Sequence, residues 1–351
     1  MSPPSPQVSP LLAGLLTICG CAAQPALKPV VASTPAPLPE PKVEKMREPL
    51  EVTPLELFFS GLRGVSKGRE SVSVKNTDTA AVQIMDLRIV GRNPNTFRIL
   101  DGPMLPAVLQ PGTAFTFSVG FEPLSDAVPG VHHARVRIVR SQDDDGPPCD
   151  LSALVTRGKL PGDEPPLQQI LEALGYAVDV GSPDLYLAKP GSPAADNRTG
   201  DERAGDEIAA PLFVRAKPGS VGNYLVARYT ADEDSSFGYY VLENKKPVVT
   251  MVGATDKGPH QTLNPELKMD SQTSFDPGDA TFGLYLKLGR RTLFSEDRLN
   301  PGPTKHVARI YPLRSRGRTL VQDAYVVAFD EDGDGDFQDH VFMLWNVKPA
   351  L

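Results

Sequence analysis

Apolar and polar positions alternate with period two over residues 70–76, 82–89, 115–121 and 131–140, the pattern of strands with one buried face. Turn-forming clusters separate these runs: Asn76-Thr77-Asp78, Asn93-Pro94-Asn95, Pro111-Gly112 and Pro129-Gly130. Seven or so short strands in about a hundred residues predict an immunoglobulin-like β-sandwich over residues 53–157.

The period changes once. Leu167, Ile170, Leu171 and Leu174 fall at helical spacing. Asp163-Glu164-Pro165-Pro166 opens this helix and Gly175 ends it. Beyond it, strands are expected at 176–180, 185–187, 209–216, 224–229, 238–242, 248–252, 281–287, 306–313, 320–329 and 340–347. That number of strands in 158–351 suits a larger, jelly-roll-like sandwich whose last three strands form a meander. The expected fold class is all-β: an immunoglobulin-like sandwich, one short linking helix and a jelly-roll-like sandwich.

Composition agrees, since 36 prolines and 30 glycines among 351 residues imply many turns and few long helices. The net charge of −7 arises in residues 158–351, with 21 basic and 28 acidic groups. Six of those acids lie between Asp330 and Asp339, and without them the region carries only −1. The acidity is therefore one local feature, and no region is basic enough to expect a nucleic-acid partner. Three cysteines, Cys19, Cys21 and Cys149, exclude a disulfide-stapled scaffold.

The acidic segment is Asp330-Glu331-Asp332-Gly333-Asp334-Gly335-Asp336-Phe337-Gln338-Asp339, with no Lys or Arg in it. Adjacent like charges repel by about 1 kcal/mol per close pair in water, and a divalent cation converts that repulsion into binding. Asp330, Asp332, Asp334 and Asp336 recur at every second position, with glycines that let the backbone fold back. Hard oxygen donors in this number point to calcium. The start fits an EF-hand loop, but Val341 takes the twelfth position, where a bidentate Glu is needed, and both flanks read as strands. An EF-hand is rejected. A structural calcium turn is expected instead, held by Asp330, Asp332, Asp334 and Asp336, with Asp339 closing it from the far side.

Residues 11–18 form an apolar run too short to span a bilayer as an ordinary helix. It suits the apolar part of a secretory signal. Ile18-Cys19-Gly20-Cys21 resembles a bacterial lipobox, which implies cleavage after Gly20 and lipidation of Cys21. Met1 to Pro10 depart from the usual signal in having no Lys or Arg. Residues 22–52 are Pro-rich and read as an extended tether. The expected location is the bacterial cell envelope, lipid-anchored, with the outer membrane favoured over the inner.

Other reactive side chains have plain readings. His132 and His133 are strand neighbours facing opposite sides, so they share no metal. Cys149 reads as a lone thiol at a strand start, and Arg314, Arg316 and Arg318 as a solvated hairpin tip, with an anion-binding patch as the alternative. Asp276, Asp279 and Glu296 are the carboxylates a hydrolase would use. Trp345 falls in a strand that reads as buried, which leaves Tyr239-Tyr240 as the aromatics available to a glycan-binding face.

Two resemblances extend this reading. Leu57-Phe58-Phe59, Val72-Ser73-Val74-Lys75-Asn76-Thr77, Phe97-Arg98-Ile99 and Leu109-Gln110-Pro111-Gly112 through Val119-Gly120-Phe121-Glu122-Pro123 resemble the abnormal-spindle/Hydin type of immunoglobulin-like domain. That family implies a non-catalytic spacer or binding module. Asp334-Gly335-Asp336-Phe337-Gln338-Asp339-His340-Val341-Phe342 resembles the C-terminal signature of an uncharacterised extracellular bacterial β-domain family, which implies a secreted, calcium-linked module. The expectation is a non-enzymatic, anchored binding or scaffold lipoprotein with a membrane partner through Cys21 and an envelope protein or glycan as ligand. The alternatives are a carboxylate-dependent hydrolase of envelope or extracellular polysaccharide, and a subunit of an envelope secretion or motility complex.

Overall fold

A computed structural model describes residues 48–141, 144–158, 163–181, 205–258 and 261–350. The signal segment with Cys21, almost all of the tether and the strand expected at 185–187 lie outside these residues. Residues 47–351 make one compact unit.

The first sandwich carries β1 (Leu50–Thr53), β2 (Glu56–Leu62), β3 (Arg69–Asn76), β4 (Val82–Ile84), β5 (Asp86–Val90), β6 (Phe97–Asp101), β7 (Ala107–Leu109), β8 (Ala114–Phe121), β9 (Gly130–Ser141), β10 (Asp144–Asp145) and β11 (Cys149–Thr156). One sheet runs β1-β3-β8-β6; the facing sheet runs β10-β9-β11-β2 with β5 on β9. The expected alternation is present: Val72 and Val74 of β3 and Phe117, Val119 and Phe121 of β8 are buried, and the rings of Phe59, Phe97 and Phe121 meet at 5.8–6.4 Å. Buried Asn76 donates to the carbonyls of Ala80 and Leu109, fixing the turn that follows it. β2 pairs in parallel with β11, Glu56 opposite Asp150 through Leu62 opposite Thr156. β1 begins inside the stretch assigned to the tether, because Leu50 and Val52 already alternate inward between Pro49 and Pro54.

α1 (Leu167–Ala173) follows. A seven-residue helix has little stability of its own. It is held because Leu167, Ile170, Leu171 and Leu174 are buried, each such side chain contributing about 1.5–3 kcal/mol. The second sandwich contains β12 (Phe213–Arg215), β13 (Val221–Arg228), β14 (Ser235–Glu243), β15 (Lys246–Thr255), β16 (Thr262–Leu263), β17 (Ser274–Phe275), β18 (Phe282–Leu288), β19 (Arg291–Phe294), β20 (Ala308–Arg314), β21 (Leu320–Phe329), β22 (His340–Trp345) and β23 (Val347–Pro349). Its sheets run β15-β14-β18-β12-β23, with β19 on β18, and β16-β13-β22-β21-β20, with β17 on β13. The last part of this order is the expected meander.

Several expectations are corrected. Residues 176–180 form no strand, only a bridge from Tyr176 to Ser315. The strand expected at 340–347 is broken at Asn346, whose φ of +63° turns the chain so that β23 joins the opposite sheet; its amide is tied to the carbonyls of Lys217 and Ser220. Tyr240 is fully buried and Tyr239 stacks on Phe275 at 4.3 Å, so this pair is not an exposed aromatic face.

Much of the β13-β22-β21 sheet is buried on both faces, its β13–β22 end around Tyr224 and Trp345 excepted. Phe329, Phe342 and Leu344 face the partner sheet, in a core with Phe237 and Phe282. Val226, Val341 and Met343 face the other way, into a core that also contains α1 and Leu154 of β11. This second core joins the two sandwiches. The fold is all-β, with one α-helix among the described residues.

Candidate metal centre in the acidic loop

Residues 330–339 connect β21 to β22, whose first pair is Phe329 opposite His340. Both strands are apolar and buried where they meet the loop, so its ends are fixed by the sheet. Gly333 (φ +75°) and Gly335 (φ +91°) turn it back on itself in a region that L side chains rarely adopt. The Asp330 carboxylate accepts the amides of Gly333 at 2.6 Å and Gly335 at 2.9 Å, which pulls the tip over its first residue.

This folding brings Asp330, Asp334 and Asp336 together: one carboxylate oxygen from each lies within 4.8 Å of the others. Calcium binds oxygen at about 2.3–2.6 Å, so two donors on one ion are separated by up to about 5.2 Å. The three donors fit that limit and all are hard oxygens. The other two expected ligands are not among these three: Asp339 lies beside them, its pKa raised by burial and by the nearby charges of Asp336 and Asp330, and Asp332 faces outward. Asp332 sits on the outer turn with its side chain 67% exposed, 3.9 Å from Arg291. Asp339 is buried, but its Oδ2 accepts the Glu331 amide at 2.6 Å and so closes the loop backbone.

Sequence reading missed Glu164. It was assigned to the start of the helix, yet Pro166 is the N-cap and no acid lies in the first turn. Its carboxylate turns instead toward the loop, accepting from Gln338 Nε2 at 3.0 Å and from Gln261 Nε2. Burial, against the help of the Gln261 and Gln338 amides and together with the charges of Asp334 and Asp332, raises its pKa to about 7. Burial also lifts Asp330 to about 6, assisted by Asp334. Asp336 is held well above the carboxylate range by burial and by Asp334, Asp330 and Glu164. Each direction expresses the same fact: the loop concentrates negative charge in a poorly solvated place.

Phe337 and Gln338, which follow the three aspartates, have physical roles. Phe337 is 2% exposed, lies 4.5 Å beneath the Arg309 guanidinium and contacts the ring of His306. Gln338 supplies the donor to Glu164. Glu331 points away from the three aspartates: Thr230 Oγ1 donates to its Oε1, and its Oε2 lies 3.8 Å from His340 Nδ1.

The other reactive groups are dispersed. Arg215 binds Asp276 at 2.9 Å and Asp279 at 3.1 Å on the surface, while Glu296 is buried, accepting from Tyr240 Oη at 2.8 Å and Arg298 Nε at 2.8 Å. Glu296 lines a cavity of about 250 Å³ to which the other two do not contribute. His132 binds Thr96 and His133 binds Ser152, on opposite faces of β9 as expected. Cys149 is fully buried, and burial pushes its thiol up to about 12. Trp345, expected to be buried, is only half-covered at the end of β22, beside Tyr224.

No known family profile matches the chain, and no curated protein matches it. Among solved structures it is similar to a family 123 glycoside hydrolase from Clostridium perfringens, at 10% identity over 33% of this chain and 24% of that one, with a TM-score of 0.23. The secreted serine protease VesC from Vibrio cholerae aligns at 11% identity over 87% of this chain and 51% of that one, with a TM-score of 0.29. PapD-like domain 7 of human CEP192 aligns at 12% identity over 36% of this chain and 99% of that one, with a TM-score of 0.22. The chain thus spans a quarter to a half of the length of these two enzymes, and no function follows from similarities of this size.

Proposed function

We propose that the protein is an exported lipoprotein, anchored through Cys21 to the cell envelope, that acts as a non-enzymatic binding or scaffold module with a calcium-stabilised second sandwich. The observation that carries this reading is the convergence of Asp330, Asp334 and Asp336 in a loop between two buried strands. A cation there would relieve the repulsion among three carboxylates and hold the β21–β22 connection closed. The loop is built into the sheet, which suits a structural ion. The lipobox-like segment supports the anchor, and the core shared by both sandwiches supports a rigid presenting body.

Extracellular calcium sites of this type bind at roughly 10⁻⁴–10⁻³ M. Tenfold excess calcium then stabilises by about 1.4 kcal/mol, a rise of roughly 3–5 °C in Tm. Thermal melts of the protein in calcium and in chelator test this directly. Coincident curves remove the metal from the reading.

A further inference from the structure

The face of the second sandwich that carries α1 is only partly covered by it. Beyond the helix, β13 and β22 leave a groove of about 600 Å³ lined by Tyr176, Tyr224, Trp345, Met343, Asn264 and Thr273. Tyr224 is 43% exposed. Gly222, opposite Trp345 in the β13–β22 ladder, leaves the space that both rings share: a Cβ there would meet the Tyr224 ring at 3.0 Å and the Trp345 side chain at 3.3 Å. Two large aromatic side chains thus flank one bare backbone position on an open sheet face. Exposed Asn264 and Thr273 place polar groups on the same wall.

The groove runs on. Tyr176 also lines a second cleft, of about 740 Å³, between α1, β9 of the first sandwich and the hairpin tip after β20. Tyr176 bridges to Ser315, and the Arg316 guanidinium lies over Gly175, 3.0 Å from where a Cβ would stand. The charges facing this cleft are Arg314, Arg316 and Arg318 against Glu172, Asp179 and Asp206. Arg314 is engaged by Asp206 at 2.8 Å and Arg316 by Glu56 at 2.5 Å. Arg318 has no ion-pair partner among the described residues. Each guanidinium has five donors, so Arg316 keeps several for a ligand beyond its contact with Glu56.

We infer that these two clefts, which share Tyr176, together bind an acidic polysaccharide, with pyranose rings lying on Tyr224, Trp345 and Tyr176 and uronate carboxylates reaching Arg316 and Arg318. Flat aromatic faces match the C–H faces of sugar rings while hydroxyls meet polar groups at the rim, the usual division of labour in ligand grooves. Guanidinium is the side chain best suited to carboxylate, because its N–H fork matches both oxygens. The inference rests on the reading of the protein as a binding module and names its ligand class. It does not rest on calcium.

The test is native electrophoresis of the full chain, in detergent without added calcium, through gels containing polygalacturonate or uncharged dextran. Trp345, the only tryptophan, gives an independent fluorescence signal. Polygalacturonate is expected to retard the protein and shift its tryptophan emission, and dextran to do neither. Tyr224→Ala, at a position 43% exposed, and the double variant Arg316→Gln/Arg318→Gln should each keep the parent's melting curve and weaken retardation by about tenfold or more. Equal retardation by dextran overturns the acidic assignment. Retardation unchanged in Tyr224→Ala, or none by either polymer, overturns the groove itself. Calcium-dependent melting is read separately, so failure here is distinguishable from failure of the metal reading.

Discussion

Glu164 and Gln338, 174 residues apart in the chain, share a 3.0 Å hydrogen bond that ties the segment before α1 to the acidic loop. The loop thereby touches the segment linking the two sandwiches as well as its own sheet. Gln338→Ala leaves the half-buried Glu164 carboxylate short of a donor and should cost about 1 kcal/mol. A urea midpoint that falls at constant m would show it; an unchanged midpoint would show that the contact contributes nothing.

Positions within the loop should separate cleanly. Asp330→Asn and Asp336→Asn are expected to abolish the difference in Tm between calcium and chelator. Asp332→Asn should preserve it, because that side chain faces solvent. In chelator, Asp336→Asn should be at least as stable as the parent, since it removes about 1 kcal/mol of repulsion per close pair. If Asp332→Asn loses the calcium response as completely as Asp336→Asn, the three-residue assignment is wrong.

His306 lies between Asp297 Oδ1 at 3.2 Å and Glu207 Oε1 at 3.1 Å. Burial alone would lower its pKa, but the hydrogen bonds and charges of those two carboxylates outweigh it and raise the value to about 9. A raised histidine pKa stabilises the fold fully below the unfolded value near 6.5 and ceases to do so as pH rises through about 9. The contribution is at most about 3 kcal/mol. Urea unfolding at pH 6 and pH 10 should show a larger loss for the parent than for His306→Gln. Equal losses would mean that the imidazolium contributes nothing.

Cys149 opens β11 with its side chain fully buried, and its thiol is pushed up to about 12. The folded protein should leave this thiol unlabelled by a disulfide reagent at pH 8, while denaturant should release it for stoichiometric reaction. Rapid labelling without denaturant would contradict the burial.

The sandwiches were legible because a sheet with one buried face writes its geometry into adjacent residues, as Val72, Val74 and Lys75 do. The convergence of Asp330, Asp334 and Asp336 was legible for the same reason: donors and glycines lie within seven residues. The separate fates of Asp332 and Asp339 were not, because spacing gives the candidates but only the turn decides which way each points. Glu164 gave no local sign, since its partners lie about a hundred and more residues away. Trp345 was misread because apolar neighbours on β22 suggested burial. α1 stops short of it, and the break at Asn346 follows at once.

The parallel pairing of β2 with β11 sets how the protein bears load. The chain enters the first sandwich's central sheet at the start of β2 and leaves it at the end of β11, so a pull between the N-terminal segment and the second sandwich drags the two strands in opposite directions along their length. Seven paired positions then share the stress and must fail together, whereas a hairpin opens one pair at a time. Single-molecule extension between the two termini should therefore meet a higher rupture force at this ladder than extension across the β14–β15 hairpin. An anchored module with that geometry would resist being sheared from its tether.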